Sequence, residues 1–233
     1  MSPHPAKPLS LKPYFIPTMH FDPRSEPHHL RHNPYTALVA PRPIGWISSI
    51  NRQGQVNLAP YSFFNLVSAY PPFVMFASAP RKDSQKNAEE TGEFVVNVAT
   101  YALKEVMNAS SGAYASGISE PAQLGIAMQS SFQVQPPRVA LTPIALECKY
   151  SKTIDLIAAD GTRNPSQVVI GEVVHIYIDD QVIVDGMVDI KRIRPIARLG
   201  YMDYAVIDHF FTMPTPVLPE ADSADTLKPG NSA

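Results

Sequence analysis

Cysteine is almost missing from this chain. Cys148 is the only one in 233 residues, so no disulfide can form within the chain, which fits a reducing compartment. Charge is also scarce, at 17% of residues with a net charge of -2 and no basic block. Nucleic-acid binding needs a Lys/Arg stripe, so it is excluded as an expectation. So low a charged fraction points instead to a surface partly covered by a second subunit. No apolar run reaches the length of a membrane span. The start, Met1-Ser2-Pro3-His4-Pro5, lacks a basic region followed by an apolar segment, so a secretory signal is not expected. The expected location is the cytoplasm, with no membrane partner. Familiar nucleotide and nucleophile signatures are missing too. There is no G-x-G-x-x-G and no G-x-S-x-G. Gly112 and Gly117 have P-loop spacing, but Ile118-Ser119 follows where Lys-Ser/Thr is required.

What is present is a globular composition, 45% hydrophobic, with 24 prolines. The prolines crowd the ends. Residues 1–20 read as an extended Pro-rich arm, because closely spaced prolines forbid helix. Residues 214–233, with Pro214, Pro216, Pro219 and Pro229 among small polar residues, read as a disordered tail. The folded domain is then 21–213.

Within it, short apolar runs read as strands. Ile44–Ile50 turns through Asn51-Arg52-Gln53-Gly54 into Val56–Ala59, a hairpin. Phe73–Ser78, after Pro71-Pro72, reads as a strand buried on both faces, and Phe94–Ala99 is another strand. Ile144, Leu146, Cys148 and Tyr150 alternate with Ala145, Glu147 and Lys149, the period of a half-buried strand. Val168–Ile178 is long and β-branched, and Val182–Val184 follows it as a hairpin. Helices are few. Asp83 or Ser84 can cap one running to Glu90 with Gly92 as its stop. Thr100 can cap one through Ala102–Asn108, burying Leu103, Val106 and Met107. Ser119-Glu120-Pro121 opens a third, closed by Gly125. Strands dominate without βαβ alternation, so a mainly β fold is expected: a closed or half-closed antiparallel barrel with a few inserted helices.

Candidate chemistry gathers between Tyr35 and Asn97. Arg81-Lys82-Asp83-Ser84 opens a helix after a strand and offers two cations, a hydroxyl and free N–H groups, the elements of an anion site. Ser48 and Ser49 end a strand and can bind ribityl or phosphate oxygens. Trp46, the only tryptophan, is balanced between core packing and ring stacking. In Asn57-Leu58-Ala59-Pro60-Tyr61-Ser62, Pro60 removes a ladder donor, which frees neighbouring backbone groups to face a ligand. Together these suit an aromatic, phosphate-bearing ligand. His28, His29 and His32 form the only histidine cluster; with no nearby cysteine they read as a solvated segment, and no metal site is expected.

The motifs, in order, resemble the flavin reductase-like, FMN-binding split-barrel family, in the branch of flavoredoxin and of the reductase component of nitrilotriacetate monooxygenase. The residues that carry the resemblance are Arg42-Pro43-Ile44-Gly45-Trp46-Ile47-Ser48-Ser49, Asn57 to Ser62, Pro71-Pro72, Arg81 to Ser84, Asn87 and Phe94-Val95-Val96-Asn97. Pro136-Pro137-Arg138-Val139, Leu146-Glu147-Cys148, and Arg198-Leu199-Gly200 with Tyr204 extend it over most of residues 35–207. Ser84 stands where the family more often has Thr, and Tyr61 where it more often has Phe.

The resemblance implies a Greek-key split β-barrel and a homodimer with non-covalent FMN near its interface. It implies that Trp46, Ser48 and Ser49 line the flavin or its phosphate. Ala59, Pro60, Tyr61 and Ser62 would hold the ring edge, with Asn57 and Asp83 in the same wall, and Arg81, Lys82 and Ser84 would bind phosphate. The expected activity is NAD(P)H-dependent flavin reduction, supplying a monooxygenase or another acceptor. Hydride transfer requires no side-chain acid or base, so no catalytic residue is named. An FMN-binding electron carrier without pyridine-nucleotide activity is the alternative, and a non-enzymatic barrel interaction module comes last.

Overall fold

The structure is a computed structural model and describes residues 19–216. Most of the expected arm (1–20) and tail (214–233) lies outside the described residues. The main body is a seven-stranded antiparallel sheet built from β1 (Gly45–Ile50), β2 (Val56–Tyr61), β3 (Phe64–Ala69), β4 (Pro72–Ser78), β5 (Glu93–Val98), β6 (Ile144–Ile157) and β7 (Arg163–Ile178). The strand order is β2-β1-β5-β6-β7-β4-β3. The three hairpins, β1–β2, β3–β4 and β6–β7, are thus threaded in Greek-key fashion. The sheet curls until β2 touches β4, but no ladder joins the two edges. The barrel is therefore split.

The β1–β2 turn is set by Asn51, whose carbonyl accepts from Gly54 N (2.9 Å) while its side-chain oxygen accepts from Gln53 N and Gln55 N. Gly54 takes a left-handed φ of 79° there. Ile47, Tyr61, Val74, Phe76, Phe94, Val96, Cys148 and Val169 fill the barrel. Phe94 and Phe76 meet edge to face with ring centroids 5.4 Å apart, a favoured aromatic geometry. Gly171 makes room for this. A Cβ at Gly171 would lie 2.4 Å from Phe94 Cζ, so any larger residue would displace a fully buried ring. Cys148 is buried in the same core, and burial pushes its thiol far up, which leaves it inert.

Helix α1 (Asp83–Thr91) packs on β1 and β5 and ends on a left-handed Gly92. Its N-cap is Lys82, with no side-chain cap. Asp83 and Ser84, the expected caps, are engaged elsewhere, as described below. Thr100 likewise gives no side-chain cap. A 3-10 turn, Tyr101–Leu103, leads into α2 (Lys104–Ala109), in which Met107 is buried. Helix α3 (Glu120–Leu124) begins after Ser119 and ends on a left-handed Gly125.

Three strand expectations change. β4 is buried on one face only, with Val74, Phe76 and Ser78 inside and Phe73, Met75 and Ala77 only partly covered on the other. In β6 the side expected to face solvent is partly interior: Ala145 and Glu147 are buried. Val182 belongs to a 3-10 turn (Asp180–Val182) started by the Asp179 side chain accepting from Gln181 N. The strand after it, Ile183–Val184, pairs forward with Met187–Val188 rather than back onto β7.

Candidate functional site

Where β2 and β4 approach at the split, the sheet leaves a cavity of about 600 Å³, within the range of about 300–1,000 Å³ typical of small-molecule sites. Each wall comes from a different element. β2 and the residue after it supply Asn57, Ala59, Pro60, Tyr61 and Ser62. The end of β4 and its loop supply Ala77 and Ala79, and the start of α1 supplies Lys82, Asp83 and Ser84. A strap after α2 supplies Ser110, Ser111, Gly112, Ala113, Tyr114 and Ser116, and α3 supplies Glu120. Pro60 lies opposite Trp46 on an edge strand, the position where a residue without N–H is tolerated.

The cation end is at α1. The first turn of a helix carries amides without intrahelical partners and the positive end of its dipole. Lys82, exposed, stands at this end. Asp83 is turned toward the strap, where its carboxylate accepts from Ser116 Oγ (2.8 Å) and Gly117 N (3.2 Å). Ser84 Oγ accepts from Asn57 Nδ2 at 2.8 Å, joining β2 to the helix start. Tyr61 packs its ring on Phe76 at 4.8 Å. Its hydroxyl is buried and has no hydrogen-bond partner among the described residues, and burial pushes the phenol up. An orphaned donor beside the cavity is the kind of group a bound polar ligand satisfies.

Glu120 is the least expected wall residue. It is 6% exposed, and Oε2 accepts from Leu58 N at 2.8 Å. Burial pushes its carboxyl above the ordinary range; the Leu58 amide opposes this and the Asp83 charge adds to it.

Four expected site residues are not in this wall. Trp46, Ser48 and Ser49 are fully buried. Trp46 Nε1 donates to Ser110 Oγ at 2.9 Å. Ser48 Oγ donates to the Pro137 carbonyl at 2.6 Å, and Ser49 Oγ accepts from Asn87. β1 is covered on both sides, so its hydroxyls brace the frame and do not line this cavity. Asn97 completes that brace. Its amide nitrogen donates to Trp46 O and Ser48 Oγ, and its oxygen accepts from Val139 N at 2.7 Å. Arg81 is turned away from the cavity, with Nε and Nη2 both donating to Glu89 Oε2, at 2.8 and 2.6 Å. Burial raises the Glu89 carboxyl, but hydrogen bonds from Gln85, Arg81 and Thr153 outweigh it and hold the group low.

Sequence reasoning missed the strap and Glu120. The one available signal was the Ser110-Ser111-Gly112 run of small residues between two helices. A second cavity, of about 380 Å³ between Tyr101, Met107, Ile196 and Tyr204, contains none of the expected residues. Among the described residues no helix is long and apolar enough to cross a membrane.

Comparison with known proteins agrees with this architecture. The model of the flavin reductase like domain matches residues 38–195. An uncharacterized protein of Deinococcus radiodurans is 35% identical over 78% of this chain and 82% of its own length. Among solved structures, nitrilotriacetate monooxygenase component B from Bacillus cereus is similar, with a TM-score of 0.77 and 26% identity over 84% of this chain and 98% of that one. So is the 2-nitrobenzoate 2-nitroreductase of Pseudomonas fluorescens, with a TM-score of 0.70 and 32% identity over 81% and 92%. With most of its length matched, and with the split barrel and motif order in place, the chain belongs to the flavin reductase like domain family.

Proposed function

We propose that the protein is an FMN-dependent oxidoreductase that draws electrons from NAD(P)H. The observation that carries this is the cavity itself: a cationic helix start at one end, small residues and free β2 backbone along the side, and the orphaned Tyr61 hydroxyl beside it. These groups fit a planar ring bearing a phosphate. Lys82 and the first-turn amides of α1 would hold the phosphate, Asn57 would keep Ser84 in place, and the stretch from Ala59 to Ser62 would meet the ring edge. FMN held there would supply two-electron redox chemistry with a reduced nicotinamide as the donor. The chain's contribution is to orient the ring and to exclude water with the strap.

Purified protein supplied with FMN should oxidise NADH or NADPH. Free FMN, and a nitroaromatic acid of the kind named for the Pseudomonas relative, are the first acceptors to test. Protein that holds FMN but oxidises neither nucleotide is an electron carrier instead. Protein that binds no FMN ends the flavin reading.

We also propose that the chain acts as a homodimer. Leu66 and Val67 are exposed on the edge strand β3, beside exposed Phe63 and Tyr70, and an uncovered apolar edge invites a partner. Light scattering should give twice the 25.6 kDa chain mass. A monomer at micromolar concentration would contradict this.

A further inference from the structure

We propose that Glu120 couples flavin affinity to pH: the cavity takes flavin tightly only while Glu120 is a neutral carboxylic acid. This rests on the flavin reading above. The geometry makes Glu120 unusual. It is a wall residue with 6% exposure, and only one of its oxygens is held, by the Leu58 amide. No cation pairs with it among the described residues. The charged and titratable groups around it are Lys82 and Asp83 at the α1 start, Tyr61 on β2 and Tyr114 on the strap. Asp83 is already committed to Ser116 and Gly117, and Lys82 lies exposed at the rim.

Glu120 borders the open cavity, through which solvent would stabilise its charged form. A ligand that fills the cavity removes that solvent, and a phosphate at the helix start adds a like charge. Both effects favour the protonated acid. Binding therefore takes up a proton, and affinity falls as pH rises through the carboxyl's titration.

The test compares wild type and Glu120→Gln by fluorescence titration of FMN into apoprotein. Gln keeps an acceptor for the Leu58 amide and is neutral at every pH. On the acid side of the carboxyl's titration the two should bind FMN alike. As pH rises through that titration wild type should become weaker, by about tenfold for each unit by which binding raises the carboxyl's pKa. Reading the ratio of the two proteins cancels the titration of the ligand's own phosphate. A ratio that does not change with pH overturns the proposal, as does a pH-dependent gap produced by Asp83→Asn instead. Calorimetry of wild type with riboflavin, in buffers of different ionisation enthalpy, needs no variant and should show net proton uptake; none would overturn it. FMN that fails to bind wild type at any pH sinks the flavin reading and the coupling together. FMN that binds with no pH-dependent gap sinks the coupling alone.

Discussion

Replacing Lys82 with alanine should weaken FMN about tenfold or more while leaving riboflavin affinity nearly unchanged. A charge-assisted hydrogen bond is worth about 1.5–3 kcal/mol, and each 1.4 kcal/mol is about a factor of ten. Lys82 is exposed, so solvent and salt screen it, and the lower end applies at physiological ionic strength, with a larger loss at low salt. Arg81→Ala is the informative companion. Both Arg81 contacts go to Glu89, and the side chain faces a separate pocket beside Arg163 and Gln167. Its removal should leave FMN affinity where it was. Fluorescence titration of both variants with FMN and riboflavin decides. Equal loss of both ligands in Lys82→Ala would move the phosphate elsewhere, and loss of FMN in Arg81→Ala alone would place it on the opposite side of the α1 start.

The two neighbours separate only in three dimensions. Arg81-Lys82 reads as a pair of equivalent cations, yet α1 starts only at Asp83 and the chain is extended at Lys82, so the two side chains point in different directions, one toward Glu89 on the helix and the other to the cavity rim. The same limit applies in β1. Ser48 and Ser49 are small and polar near a strand end and look available, and Trp46 could as well stack on a ring as pack in the core. Helix α1 covers the outer face of β1, however, so the strand is closed on both sides. The Asn57–Ser62 wall was legible because its cause is local: a proline in an edge strand. Glu120 was not legible, because it meets Leu58 across 62 positions of sequence.

The strands followed similar logic. Runs with their own turns, β1–β2 above all, were readable because Asn51 and Gly54 set the turn within a few residues. The number of buried faces was not readable for β4 or β6, since that depends on which element packs over the strand. In β6 the element is an irregular segment, residues 130–137, laid across the barrel, and its docking explains a buried carboxylate.

Glu147→Ala should be among the most damaging single changes in the chain, costing about 3–5 kcal/mol, of the order of breaking a buried charge pair. Glu147 is 2% exposed. Oε1 accepts from Phe132 N at 2.8 Å, and Oε2 from Gln133 N at 2.6 Å and Val134 N at 3.2 Å. The segment has no strand partner there among the described residues, so these three amides depend on one carboxylate; the Val134 amide is buried, and a donor left unsatisfied in the interior costs about 1–3 kcal/mol, while those of Phe132 and Gln133 lie nearer solvent and lose less. The three costs overlap, because they share one acceptor group and one segment. Val134 would also leave its contact with Val95 and Ala145, and Phe132 its stack on His175 at 4.7 Å. For a chain of this size the loss corresponds to a drop in Tm of about 6–20 °C.

Glu147→Gln tests the assignment more sharply. Gln keeps the shape and one acceptor oxygen, but it turns an NH2 toward amides that need an acceptor, so it should lose about half as much stability as the alanine. None of residues 130–137 lines the cavity, so FMN affinity per folded molecule should hold in both variants. Urea melts and flavin titrations together measure this. A Glu147→Ala protein that melts with wild type would mean that residues 130–137 dock without their carboxylate. One that stays folded but loses flavin would tie the segment to the site through the hydrogen bond from Ser48 to Pro137.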